Sequence, residues 1–128
     1  MDETKTDKKI YLASPYWHED ESVRLARFDA VTIAAGKLML QGYIVFSPIT
    51  HSHPIAQEMD RGEHRPGGKL GHDFWLNQDR YYLDWADEVW ILTLDGWDKS
   101  FGIEWENEYA NANCKGVRLL DPITLKTI

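Results

Sequence analysis

At 128 residues the chain has room for one packed core but not two. Its formal charge of −7, with no Lys/Arg cluster, excludes broad binding to a nucleic-acid backbone, which needs a basic face. No stretch approaches the roughly 18 apolar residues of a membrane span, and residues 1–9 lack the apolar core of a signal peptide. The expectation is a cytoplasmic protein that engages neither nucleic acid nor membrane. The single cysteine, Cys114, suits a reducing compartment and reads as a small semi-buried side chain near a helix end.

In chain order, residues 1–8 read as a disordered polar lead-in to a single domain over residues 9–128. Ile10-Tyr11-Leu12-Ala13 reads as a buried strand stopped by Ser14-Pro15. From about Ser22 to Gln41, Val23, Ala26, Ala30, Ile33, Ala34 and Leu38 recur at helical spacing, and Gly42 ends the helix. Tyr43-Ile44-Val45-Phe46 is a second strand, closed by Ser47-Pro48. Ile49 to His72 holds four of the five histidines, two prolines and four glycines. It reads as a long loop, interrupted at most by a short helix around Pro54 to Met59, and a loop of that length is functional or disordered.

Asp73 to Trp85 reads as a helix, Glu88 to Leu94 as a third strand, and Asp95-Gly96 as a turn. A helix from about Ser100 to Asn113 precedes a fourth strand at Val117 to Leu120. The tail adds a fifth strand or packs at a subunit contact. Strands alternating with helices predict parallel βαβ units in a three-layer α/β sandwich with four or five strands. Ligands of such sheets sit beyond the carboxyl ends of the strands, here at Ser14 to His18, Ser47 to His53 and Thr93 to Gly102.

On the Ser100 to Asn113 helix, Glu104 and Glu108 fall on the polar arc, whereas Glu106 falls inside the apolar one at about 100° per residue. A carboxylate there is costly unless it is paired, solvated by a pocket or used. It is a candidate catalytic group, or it bonds to a Tyr or Trp and stabilises the helix start.

Three segments carry a resemblance. Tyr11-Leu12-Ala13-Ser14-Pro15, Ala86-Asp87-Glu88-Val89-Trp90, and the spacing of Ser100, Gly102, Glu106 and Ala110 together resemble the nucleoside 2-deoxyribosyltransferase superfamily, in order and across roughly the whole chain. The fit is with a small branch similar to nucleoside 5′-monophosphate N-glycosidases. The resemblance implies a flavodoxin/Rossmann-like sheet and Glu106 as a nucleophile that forms a glycosyl-enzyme intermediate. It also implies Asp79 as a second carboxylate, with Asp84 and Asp73 as substitutes if the register differs. Asp79 reads equally as an exposed charge beside Arg80. No cofactor is implied, the ligand is a small nucleoside or nucleotide, and subunits assemble as a homo-oligomer whose pockets are completed by a neighbour.

Ser100 in place of an acidic residue implies a 5′-phosphate contact at a helix start, with Gly102 behind it, although a plain N-cap fits as well. Asp98 makes that position acidic again if the register slips by two. Tyr16 and Trp17 follow the first strand on the ligand side, as Ser14 does, and Ser47, His51 and His53 follow the second. His51 or His53 is expected on a lid touching base or phosphate, and a solvated insertion is the alternative. Arg24 and Arg27 read as phosphate neighbours or a solvated face. Two rival functions stay open: a non-catalytic nucleotide-binding module, and a metal-dependent hydrolase using the His51 to His72 segment. Metal binding is not the expectation, because His-x-His on a loop has no enforced geometry. Hydrolysis and transfer are not separable from the residues.

Overall fold

The computed structural model describes residues 7–59 and 71–128. Residues 1–6 and 60–70, His64 among them, lie outside the described residues. Strand β1 (Lys9–Ala13) and strand β3 (Glu88–Leu92) are apolar runs buried along almost their whole length. β1 pairs in parallel with β2 (Ile44–Phe46) on one side and β3 on the other, and β3 pairs with β4 (Gly116–Leu120). The order β2-β1-β3-β4 makes a four-stranded, all-parallel sheet of flavodoxin-like type. A chain that first winds outward to β2 and then returns past β1 to β3 opens a crevice at the carboxyl ends of β1 and β3.

Alternation along β1 sends Ile10 and Leu12 to one face and Tyr11 and Ala13 to the other. The first pair packs with Val31, Ala34, Ala35 and Leu38 of α1 (Glu21–Leu40). The second packs with Leu83 of α3 (His72–Trp85) and with Ile103 and Ala110 of α4 (Phe101–Ala112). Helix α1 starts where Asp20 accepts from Ser22 N and stops at Gly42, whose φ of 103° only glycine adopts freely. The buried stripe of α1 is narrower than its apolar spacing predicted. Val31, Ala34, Ala35 and Leu38 are buried, whereas Ala26 and Ile33 are exposed.

The loop expected from Ile49 is helical over its first half, as α2 (Pro48–Met59). Ser47-Pro48, read as the end of a strand, is also a helix start. The Ser47 Oγ accepts from Thr50 N at 3.1 Å, and proline suits the first helical position because its missing N–H would have no partner there. The tail supplies no fifth strand among the described residues. Asp121 turns it back, accepting from Ile123 N and Thr124 N, and Thr127 forms one antiparallel bridge with Leu120. Cys114 is exposed rather than semi-buried, because it takes the left-handed turn (φ 59°) that ends α4.

Arg24 and Arg27 do not form a solvated face. Arg24 donates to the carbonyl of His18 at 2.5 Å. Arg27 donates to Trp17 O at 2.9 Å and Asp95 O at 3.1 Å, tying the loop after β1 to the loop after β3. Gly96 makes that tie possible. Its φ is 90°, and a Cβ there would stand 2.7 Å from the Arg27 guanidinium. Gly96→Ala should therefore lower stability by about 1–3 kcal/mol through backbone strain and displacement of Arg27. An unchanged urea midpoint would contradict this reading of the loop.

Candidate active site

Glu106 is the centre of the buried polar chemistry. Helix α4 buries only Ile103, Glu106 and Ala110, a stripe spaced three and four residues apart, so the carboxyl faces the sheet. Phe101 and Ala112 are exposed, and Glu104 and Glu108 are solvated as their positions predicted. Glu106 is 5% exposed and accepts a hydrogen bond from the Tyr11 hydroxyl of β1. Tyr11 is itself fully buried in the middle of the sheet.

Asp79 comes to the same hydroxyl from α3. It lies between Leu76 and Leu83 on the helix's buried stripe, at spacings of three and four, and is itself half-buried. Asp84 and Asp73 are exposed. Asp84 instead accepts from the Tyr109 hydroxyl at 2.5 Å, and Arg80 donates to Tyr81 rather than to Asp79.

Burial raises the Glu106 pKa from 4.5 to about 8, with the Tyr11 hydrogen bond opposing and the Asp79 charge adding. Burial likewise raises Asp79 from 3.8 to about 7, opposed by Tyr11. Burial and the two carboxylates push the Tyr11 hydroxyl well above its usual range. The three groups thus behave as one titrating unit that holds a proton near neutrality.

The remaining candidates lie in separate places. Ser14, three residues past Tyr11, is buried, and among the described residues its Oγ has no hydrogen-bond partner. Ser100 caps α4, accepting from Ile103 N at 3.2 Å, with Gly102 in its first turn. Asp98 is exposed on the short 3-10 turn Trp97–Lys99 before it. His51 lies on α2 with its ring near Phe46 and Tyr82, which stack at 3.8 Å, and Phe46 in turn meets Tyr11 at 5.9 Å. A cleft of about 530 Å³ opens beside this aromatic group, lined by Ile44, Val45, Phe46, Tyr81, Tyr82 and Trp85.

His53 and Tyr16 form a separate pair. The Tyr16 hydroxyl meets His53 Nδ1 at 2.6 Å, and the imidazole stacks on Phe28 of α1 at 4.2 Å. Burial lowers the His53 pKa, which favours the neutral ring. Trp17 is 66% exposed beneath the Arg24 guanidinium, and Ser47 is occupied as the cap of α2. His51, His53 and Asp73 do not converge, and among the described residues no three His, Cys, Asp or Glu side chains gather as metal ligands. Tyr11 is the residue that the sequence reading left out of the site. The available signal was one hydroxyl in an otherwise apolar strand, which needs a partner once buried.

Residues 8–121 match the family described as "Domain of unknown function (DUF1937)", and the chain belongs to that family. No curated protein matches it. Among solved structures it is similar to a 2-deoxyribosyltransferase from the psychrotolerant bacterium Bacillus psychrosaccharolyticus. The identity is 29% and the TM-score 0.59, over 89% of this chain and 72% of that one. The resemblance read from the three sequence segments is borne out, and the chain stands in a small branch of the nucleoside 2-deoxyribosyltransferase superfamily.

The raised Glu106 pKa has a consequence for stability. The unfolded chain loses this proton near 4.5 and the folded protein near 8, so the folded state holds the proton more tightly between those values. Stability contributed by this group is present below the lower value, falls through that window and levels off above it. Glu106→Gln removes the effect. Its stability relative to the parent should improve from about pH 5.5 to about pH 8.5, by up to a few kcal/mol. Parallel pH profiles in urea titrations would contradict the buried placement.

Proposed function

We propose that the protein cleaves the N-glycosidic bond of a nucleoside or nucleoside 5′-monophosphate, with Glu106 as nucleophile. The observation that carries the reading is a nearly fully buried carboxyl on α4, held by Tyr11 and neighboured by Asp79. A carboxylate so placed attacks the anomeric carbon and forms a glycosyl ester as the bond to the base breaks. The bond's electron pair goes to the base nitrogen. The two carboxyls share a proton near neutrality; the reaction runs from the form in which Asp79 carries it and Glu106 is ionised, and Asp79 passes it to the departing base. Water or a second base then takes the sugar from Glu106, giving hydrolysis or transfer respectively.

The partnerless Ser14 hydroxyl supports a ligand at the carboxyl end of β1, because buried polar groups are ordinarily satisfied. The aromatic group of Phe46, His51 and Tyr82 suits a flat base, which stacks on such rings. Ser100 and Gly102 at the start of α4 suit a 5′-phosphate, which a helix N-terminus attracts. Six residues of helix, about 9 Å, separate that end from Glu106. Similarity to the 2-deoxyribosyltransferase adds support for chemistry on a nucleoside.

Incubation with a panel of nucleosides and 5′-monophosphates, with released base followed by chromatography, tests the proposal. Base release is expected, and faster from the monophosphates. Glu106→Ala should lower it by several orders of magnitude, while Glu104→Ala and Glu108→Ala leave it intact. Ser100→Asp should slow cleavage of the monophosphates selectively, through charge repulsion. A folded Glu106→Ala variant with near-normal turnover would overturn the nucleophile assignment. Equal rates on both substrate classes would reduce Ser100 to a helix cap.

A further inference from the structure

Alternation along the strands puts Trp90 of β3 and Arg118 of β4 on the face of the sheet that α1 covers, opposite Tyr11 and Glu106. A cavity of about 280 Å³ opens there, between the end of α1, the start of β1 and the residues after β4. Its floor is apolar: Leu38 and Leu120 line it, and Trp90 meets Tyr43 edge to face at 4.8 Å. Its rim carries three cations, Lys8, Arg118 and Lys126, and no carboxylate among the described residues lines it. The surplus stands out in a chain whose formal charge is −7. Glu88, behind the rim, positions two of the cations. One of its oxygens accepts from Lys8 Nζ at 3.1 Å, and the other accepts from Trp90 Nε1 at 2.8 Å and pairs with Arg118 Nε at 3.1 Å. The two Nη groups of Arg118 have no partner among the described residues. Lys126 is placed by the backbone around it. Asp121 N donates to Lys126 O at 2.9 Å, Ile128 N donates to Leu119 O at 2.9 Å, and Thr127 bridges to Leu120. Its Nζ has no partner among the described residues.

We propose that this cavity binds a small aromatic anion, a single ring carrying a phosphate or carboxylate group. Charge selects the anion. Three cations against the one carboxylate of Glu88 leave a surplus of two, and like charges over low-dielectric walls focus a field that draws in the opposite sign. The unpartnered Nη pair of Arg118 presents the parallel donors that phosphate and carboxylate oxygens accept in bidentate fashion. Trp90 and Tyr43 select the body, because a flat ring packs well on aromatic side chains. Volume limits its size. Ligand pockets run from roughly 300 to 1,000 Å³, and a cavity at the bottom of that range suits one ring with its anionic group rather than a whole nucleotide. The proposal does not rest on the reaction proposed above, since none of these residues belongs to that site, which lies across the sheet.

NMR titration of the full chain, following the Trp90 indole N–H signal, tests the assignment. Phenyl phosphate and benzoate should each shift that signal saturably. Inorganic phosphate and benzyl alcohol, which carry the charge or the ring alone, should bind at least roughly tenfold more weakly. Arg118→Gln and Lys126→Gln should each weaken phenyl phosphate about tenfold. If Arg118→Gln fails to fold, Lys126→Gln decides, because its side chain has no partner within the fold to lose. Arg80→Gln, on α3 across the sheet, should bind as the parent does, and so should Ser100→Asp, which separates this cavity from the nucleotide site proposed above. A Trp90 signal unmoved by both aromatic anions overturns the proposal. So does inorganic phosphate binding as tightly as phenyl phosphate, or an affinity that survives Lys126→Gln unchanged or falls with Ser100→Asp.

Discussion

The hydrogen bond from Tyr11 to Glu106 sets the constraint around which the domain is arranged. A carboxyl and a phenol are both removed from water here, and either one alone would carry the full cost of an unsatisfied buried group. Their pairing requires the middle strand to present Tyr11 toward α3 and α4, and α4 to turn Glu106 inward between Ile103 and Ala110. It also requires the register that puts Tyr11 opposite Val89, so that β3 supports the strand from which the hydroxyl projects. Asp79 enters the same arrangement from the third element on that face, and its charge raises the Glu106 pKa further. The resulting carboxyl pair keeps a proton near neutral pH.

The rest of the sheet serves that arrangement at its ends. At the amino end, Asp87 accepts from Lys9 N, and Asp87 N donates to Lys9 O at 2.7 Å, locking β3 beside β1. The Ala-Asp segment thus has a structural job, away from the ligand side. At the carboxyl end, Arg27 spans the loops after β1 and β3, and the Tyr16–His53 contact fastens α2 to the first of them. Those fastenings give the crevice fixed walls, which matters because proximity effects depend on placement to well under an ångström.

Much of this was legible in the sequence where one period dominated. The inward turn of Glu106 followed from angular position alone, because its neighbours on α4 left no other polar residue on the packed side. The parallel sheet followed from apolar runs alternating with helices. Asp79 needed the fold. Its helix carries Asp73, Asp79 and Asp84, and only the packing of Leu76 and Leu83 against the sheet separates the half-buried aspartate from the exposed ones. Helix α2 was hidden because Ser47-Pro48 stops a strand and starts a helix with the same two residues, and because Pro54 within it argues locally for a loop. Tyr11 was hidden by its company, since a tyrosine in an apolar strand reads as packing until its hydroxyl is seen to have a carboxylate partner. Ala26 and Ile33 matched the helical period of α1 without belonging to its core, as periodicity marks faces but not which of them is covered.

The central claim is that the sugar passes through a covalent bond to Glu106. Acid quenching of the enzyme during turnover on its best nucleotide substrate, followed by peptide mass spectrometry, measures this directly. The account predicts a glycosyl adduct on the α4 peptide, localised to Glu106. Turnover with no adduct on any peptide, or with the adduct on another residue such as Asp79, would contradict it.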